Sequence, residues 1–210
     1  MTGVFISFEG GDGTGKSTQI KILSECLRAA GREVVETREP GGSDGGEAIR
    51  ALIVKGAKDR WSPLTEALLM YAARRDHLER TILPALERGA VVISDRFADS
   101  SMAYQGVAGG AGVENMKALH ALAVGAHDPD LTIILDAPAE DGLRRADASK
   151  GETRFEDKGA EFQRKVRQAY LDIAKAAPAR CVVVDARGSV EAVATRIAET
   201  VKQRLPAVLS

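Results

Sequence analysis

The chain has 210 residues, 44% of them hydrophobic, and its 29 basic against 30 acidic side chains leave a formal net charge of -1. That length suits one sizeable core, and so even a charge balance supplies no footprint for gripping a nucleic-acid polymer or an anionic membrane. No apolar run is long enough to span a bilayer; the N-terminal one lacks a basic lead-in and is closed by Glu9, so the cytoplasm is the expected compartment.

In chain order, the first element is the apolar run Val4-Phe5-Ile6-Ser7-Phe8, a predicted strand. Directly after it stands Gly10-Gly11-Asp12-Gly13-Thr14-Gly15-Lys16-Ser17, which matches G-x-x-x-x-G-K-[ST], the loop that wraps the polyphosphate of a nucleoside triphosphate. Its glycines let the backbone curl until several N–H groups face phosphate oxygens. Lys16 then reaches the β- and γ-phosphates, and the Ser17 hydroxyl holds Mg²⁺. Ile20, Leu23, Leu27 and Ala30 follow at helical spacing, so the phosphates would also lie at a helix N-terminus.

Further strands are predicted at 33–37, 90–94, 131–135 and 181–184, each preceded by a helical pattern. The longest helix is predicted from Leu64 to Arg88, with Pro84 as the place for a bend. Its core stripe is Leu64, Leu68, Tyr71, Leu78 and Ile82, while Met70, Arg74 and His77 share an adjoining face. On another predicted helix, Leu119, Leu122 and Ala123 form an apolar face that suits core packing and a dimer contact equally. Residues 147–159 are charged, small and almost without apolar anchors, a composition that suits a mobile surface segment. Cys26 and Cys181 make no C-x-x-C and no metal-ligand pair, and both are expected to be buried reduced thiols.

Strand–helix alternation without a repeat or linker predicts a single α/β domain over 1–210, a parallel sheet with helices on both faces. Active sites of such sheets lie at the carboxyl ends of the strands. Gly10 onward, Arg38-Glu39-Pro40, Asp95-Arg96 and Asp136 all fall there. No Asn-Lys-x-Asp motif points to guanine recognition, and neither Asp95 nor Asp136 is followed by the Glu typical of motor ATPases. Arginines at 38, 50, 74, 96, 144, 145 and 154 suit two phosphorylated substrates, because planar guanidinium forks match phosphate oxygens bidentately.

Thr37-Arg38-Glu39-Pro40-Gly41-Gly42, Tyr71-Ala72-Ala73-Arg74 and Asp95-Arg96-Phe97-Ala98-Asp99-Ser100-Ser101-Met102-Ala103-Tyr104-Gln105-Gly106 resemble the signatures of the bacterial thymidylate kinases. With the phosphate loop, Pro129-Asp130-Leu131 and Leu135-Asp136, the resemblance spans essentially the whole chain. It implies the phosphate-loop nucleoside monophosphate kinase fold, a five-stranded parallel sheet with a mobile lid at about 144–158. The implied assembly is a homodimer, and the implied reaction converts dTMP and ATP to dTDP and ADP with Mg²⁺.

The resemblance also implies roles. Residues Gly10 to Ser17 with Thr18 bind ATP, and Arg144 stacks on adenine beside Asp185-Ala186-Arg187. Asp12 organises either the magnesium or the acceptor, and Asp95 supports the metal with Ser17. Arg96 and Arg50 clamp the acceptor's monophosphate, Glu39 closes its pocket, and Ser101 and Gln105 complete the base edge. Tyr104 sits against the deoxyribose, with core packing as its competing reading. Met70 departs from the phenylalanine that commonly stacks on thymine, and a thioether covers a ring with less area. With nothing basic at Gly11, Asp12, Gly13 or Thr14, the catalytic cations are expected from the lid, as Lys150 and Arg154.

Physical chemistry adds a reason for Arg74. A donor-only guanidinium aimed at position 4 of a pyrimidine accepts thymine's carbonyl and meets cytosine's amino group donor to donor. Two rival readings remain: another nucleoside monophosphate kinase with the same loop, and a non-catalytic ATP-binding switch.

Overall fold

The computed structural model describes residues 3–57, 59–138 and 159–208. The expected lid, with Arg144, Lys150 and Arg154, lies outside the described residues.

Five strands, β1 (Val4–Gly10), β2 (Val34–Arg38), β3 (Val91–Asp95), β4 (Leu131–Asp136) and β5 (Cys181–Asp185), form one sheet in the order β2-β3-β1-β4-β5. All four pairings are parallel. Each strand runs one or two residues past its predicted carboxyl end, because Glu9, Arg38, Asp95, Asp136 and Asp185 stay in the ladder while interrupting the apolar run. The chain fills one side of β1 through β3 and then crosses to the other side through β4. The crevice above the carboxyl end of β1 is therefore a topological switch point.

Alternation along β1 sends Ile6 and Phe8 to one face, where Val91, Ile93, Ile133 and Leu135 join them. Two helices cover this face: α1 (Lys16–Ala29) through Ile20, Leu23 and Leu27, and α8 (Val190–Arg204) through Val193, Ile197 and Val201. The opposite face carries Phe5 and Val92 beneath α3 (Pro63–His77), α4 (Leu83–Glu87) and α6 (Val113–Ala123). Its far side carries Ile134 beneath Val166, Ala169 and Tyr170 of α7 (Gly159–Ala176). That second face is partly polar. Ser7 and Thr132 are paired in register and share a buried 2.9 Å hydrogen bond, and Glu9 lies two residues further along the strand.

The predicted long helix exists, in three pieces. Between α3 and α4 the ladder opens into a π-helical turn at Leu78–Ile82, where the Leu83 N–H reaches back to the Leu78 carbonyl. Pro84 has no N–H to donate, and the ladder loosens in the turn before it, so the irregularity falls earlier than the expected bend. The helix is also rotated relative to the predicted stripe. Leu64 and Leu68 are 43% and 50% exposed, while Ala67, Met70, Tyr71, Ala73, Arg74 and His77 are buried. Arg74 and His77 find buried partners, which lets a polar stripe turn inward.

Cys26 is exposed on the outer side of α1, contrary to expectation, and Cys181 is buried at the start of β5. Of the ambiguous apolar face, Leu119 and Ala123 pack on the core and Leu122 stands 81% exposed. Two shorter elements complete the acceptor side: α2 (Asp44–Val54), capped by the Ser43 hydroxyl accepting from Gly46 N–H, and α5 (Ala98–Ser101), which continues as a π-helical segment Met102–Ala108. Among the described residues no helix is long and apolar enough to cross a membrane.

Candidate active site

The phosphate loop joins β1 to α1 at the switch point. Gly10, Gly13 and Gly15 hold left-handed φ values of 129°, 71° and 93°, and a Cβ at Gly10 would run into the Leu135 carbonyl. Lys16 folds back over the loop, its Nζ donating to the carbonyls of Gly10 at 3.1 Å and Gly11 at 2.9 Å. Burial, and after it the neighbouring Arg96, lowers the Lys16 ammonium to about 8. The loop opens on a cavity of about 520 Å³ that runs from Asp12–Gln19 past Asp95 and Arg96 to Ala186, Gly188, Ser189 and Val190 at the entry of α8.

The Ser17 hydroxyl donates to Asp95 Oδ2 at 2.8 Å, which sets two hard oxygen donors side by side at the mouth of this cavity. Magnesium takes one or two carboxylates and completes its octahedron with water and phosphate oxygens, so this sparse donor set fits it. Among the described residues no cluster of three His, Cys, Asp or Glu side chains forms an all-protein metal cage.

A second cavity of about 230 Å³ is lined by Asp12, Glu39, Pro40, Arg50, Val54, Met70, Arg96, Ser100, Tyr104 and Gln105. Asp12 and Arg96 belong to both cavities and form the wall between them. Arg96 Nη2 and the Tyr104 hydroxyl both donate to the Asp12 carboxylate, and the Arg96 guanidinium lies 4.9 Å above the Tyr104 ring. Burial works to raise the Asp12 carboxyl, and Arg96 and Lys16 outweigh it to hold the group below its ordinary value. Arg96 itself is held well above the usual arginine range by Tyr104 and Asp12 against the opposing effect of burial. Arg50 reaches from α2 to the Pro40 carbonyl at 2.6 Å.

Behind this cavity lies a chain of buried polar groups. Arg74 donates Nε to Glu39 at 2.8 Å and Nη2 to Ser101 Oγ and the Phe97 carbonyl, each at 3.0 Å. The other Glu39 oxygen meets His77 Nδ1 at 3.0 Å, and His77 Nε2 meets the Thr37 hydroxyl at 2.7 Å. Two buried atoms here lack partners among the described residues: Arg74 Nη1, a donor, and Gln105 Oε1, an acceptor whose amide nitrogen is spent on Glu66.

Of the predicted acceptor residues, Asp12, Glu39, Arg50, Met70, Arg96, Tyr104 and Gln105 line the cavity. Arg74 and Ser101 stand outside its wall, tied to Glu39 and to each other. Pro40, placed at the active-site edge with Arg38 and Glu39, lines the cavity too, while sequence reasoning gave no role to Val54 and Ser100 on this side or to Gln19, Gly188, Ser189 and Val190 on the other. Gly188-Ser189 before an apolar run is a helix-start signal that would have marked the latter site. Arg38 faces outward on Glu47, and Asp136 is held in a two-pronged pair by Arg167.

A polyphosphate site and a smaller pocket that meet at one Asp–Arg pair bring a donor phosphate and an acceptor together, and they define the chain as a phosphate-loop phosphotransferase. Residues 8–197 match the family model described as thymidylate kinase. The chain is 59% identical over 203 residues to the thymidylate kinase of Caulobacter vibrioides, covering 97% of this chain and 98% of that one. It is 52% identical over 205 residues to that of Ruegeria pomeroyi. The crystal structure of thymidylate kinase from Ehrlichia chaffeensis superposes with a TM-score of 0.79 at 34% identity, over 96% of this chain and 99% of the other. The chain belongs to the thymidylate kinase family, and is a nucleoside monophosphate kinase acting on dTMP.

Proposed function

We propose that the chain transfers the γ-phosphoryl group of ATP to dTMP with Mg²⁺, donor in the larger cavity and acceptor in the smaller. The observation that carries this reading is that Asp12 and Arg96 line both cavities. In support, Gln105 Oε1 in the acceptor wall and Arg74 Nη1 behind it form a pair of buried atoms without partners among the described residues. Thymine presents an acceptor at O4 beside a donor at N3–H, complementary to that pair, whereas cytosine presents the reverse. A buried group left unpaired costs about 1–3 kcal/mol, so two reversed contacts discriminate by orders of magnitude.

The remaining roles are those the family resemblance implies, supported by which residues line the two cavities. Lys16 binds the β- and γ-phosphates, and the loop amides with Thr18 complete the ATP cradle. Arg96, Arg50 and Asp12 orient the acceptor's phosphate, Glu39 holds Arg74, Tyr104 packs on the deoxyribose, and Met70 covers the base. Ser17 and Asp95 hold Mg²⁺, which supplies charge neutralisation across the polyphosphate when bound. The acceptor oxygen attacks in line and needs no strong base; positioning by Arg96 and charge stabilisation by Lys16 dominate. Arg144, Lys150 and Arg154 keep the roles their sequence positions suggest. The whole of 1–210 acts as one catalytic unit in the cytoplasm, as a homodimer.

Rates across dTMP, dUMP, UMP, CMP and AMP test the reading, and dTMP is expected to lead clearly. Gln105→Leu is expected to raise the dTMP KM about tenfold, roughly 1.4 kcal/mol of binding, with the ATP KM unchanged. Equal activity on CMP and dTMP would overturn the assignment.

A further inference from the structure

β1 carries a carboxylic acid that the roles above leave unused. Glu9 is 0% exposed, directly before the phosphate loop, on the partly polar face of the sheet. A buried carboxylate is kept only where its partners repay desolvation, so its contacts indicate its use. Oε1 accepts the Phe97 backbone N–H at 2.7 Å. Oε2 accepts the Ser100 hydroxyl at 2.6 Å and the Tyr170 hydroxyl at 3.1 Å. Arg96 Nη1 donates to the same two hydroxyls, at 3.1 Å each.

These contacts fix a direction. A guanidinium only donates, and a hydroxyl has one proton, so both hydroxyls accept from Arg96 and must turn their protons elsewhere. The two hydroxyls also lie 2.8 Å apart. The protons therefore run from both oxygens to Glu9, or from one hydroxyl through the other to Glu9. In either case they point away from Arg96, and the acceptor-only carboxylate at the end sets that polarity. Glu9 grips Arg96 from the backbone side as well. Arg96 has a left-handed φ of 73°, a strained conformation for a residue with a side chain. It is held by its own N–H on the Phe8 carbonyl, by Ser94 Oγ on its carbonyl, and by Glu9 on the next N–H.

We propose that Glu9 is a positioning residue for Arg96: its carboxylate holds the turn at Arg96 through the Phe97 N–H and aims the guanidinium at the acceptor phosphate through the Ser100 and Tyr170 hydroxyls. This rests on the reading of Arg96 as a phosphate-binding group. Burial, then the charge of Asp99 on α5, pushes Glu9 up to about 7 against the opposing contacts of Ser100, Arg96 and Phe97. Lys16 on α1, Tyr170 on α7 and Cys181 on β5 are the other titratable groups within its field. Asp99 is itself paired with Arg180 at 2.6 Å.

Glu9→Gln tests the proposal. The amide oxygen can still accept from Phe97, but the amide nitrogen only donates, so the two hydroxyls would face donors on both sides. At pH 8.5 and saturating ATP, kcat/KM for dTMP is expected to fall at least tenfold, while the ATP KM moves less than threefold. The gap is expected to narrow towards pH 6, where the wild-type carboxyl is itself protonated; titration of the dTMP phosphate is common to both enzymes and cancels. An unchanged kcat/KM, or a gap that stays constant between those pH values, overturns the proposal. Arg96→Ala separates it from the reading beneath: if that variant uses dTMP normally, the role of Arg96 fails and the proposal with it. If Arg96→Ala is damaged and Glu9→Gln is silent, only the positioning role fails. Should Glu9→Gln not fold, Tyr170→Phe removes one bridging hydroxyl. It is expected to lower kcat/KM for dTMP about threefold, and no change there overturns the proposal.

Discussion

Met70 and Lys16 each put a single-residue argument within reach of measurement. Met70 is buried in the wall of the acceptor cavity, where a flat ring would cover more of a pyrimidine than a thioether and lose less rotamer freedom. Met70→Phe is therefore expected to lower the dTMP KM severalfold with kcat little changed; steady-state kinetics showing an unchanged or higher KM would remove Met70 from the base-covering role. Lys16 concerns pH. Burial, with Arg96 beside it, lowers its ammonium to about 8, so the free enzyme loses that charge as pH rises through 8, well before an ordinary lysine. Polyphosphate binding favours the charged form and draws the proton back. The ATP KM is expected to rise above pH 8, and calorimetry in buffers of different ionisation heat should detect proton uptake on ATP binding in that range. Binding without proton uptake at pH 9 would show that Lys16 is already charged.

At the scale of elements, the loop after β2 shows how tightly the buried chain behind the acceptor cavity is built. Gly42 has a φ of 79°, and a Cβ there would overlap His77 Nε2 and Thr37 Oγ1, the two ends of one hydrogen bond. Gly42→Ala forces both a disfavoured backbone and a shift of His77, which would move Glu39 and then Arg74. We expect a loss of about 2 kcal/mol, a melting midpoint lower by about 4–8 °C, and a raised dTMP KM. A variant that melts with the wild type would mean the loop yields freely. The same region marks the boundary of what the sequence discloses. All five strands were legible because their apolar runs are bounded by turn residues, and the phosphate loop because its spacing is dictated by phosphate geometry. The facing of α3 was not legible. Periodicity counts Leu64 and Leu68 as inward residues and sets Arg74 and His77 only on an adjoining face, and only knowledge of the Glu39 contacts turns that polar face fully inward. Val54 and Ser100 escaped for a related reason: a cavity wall needs side chains of no particular chemistry. Glu9 looked like the polar stop to an apolar strand, since its hydroxyl partners lie 91 and 161 residues away in the chain.

Among the described residues, half of the large hydrophobic side chains left exposed lie on two helices, and the rest, Leu52, Val107, Val183 and Val190, are scattered. Leu64 and Leu68 on α3, and Val113 and Leu122 on the neighbouring α6, make up that half. Single exposed leucines are ordinary, but four on two adjacent helices suit an interface, and α3 is the helix whose inner side bears Met70 and Arg74. A second copy seated on its outer side would brace the acceptor cavity from behind without entering it. The wild type is then expected to scatter light at twice the chain mass of 22.3 kDa at micromolar concentration. Leu68→Glu, which places a charge in the proposed contact and disturbs no core residue, is expected to yield the single chain. Because the interface would stiffen α3, the dissociated variant should also show a higher dTMP KM with a nearly normal ATP KM. Dilution of the wild type below its dissociation constant should reproduce that kinetic change without any substitution. A wild type that is already a single chain at micromolar concentration, with the same dTMP KM as Leu68→Glu, would show that α3 holds its geometry by the core contacts of Ala67, Tyr71 and Arg74 alone.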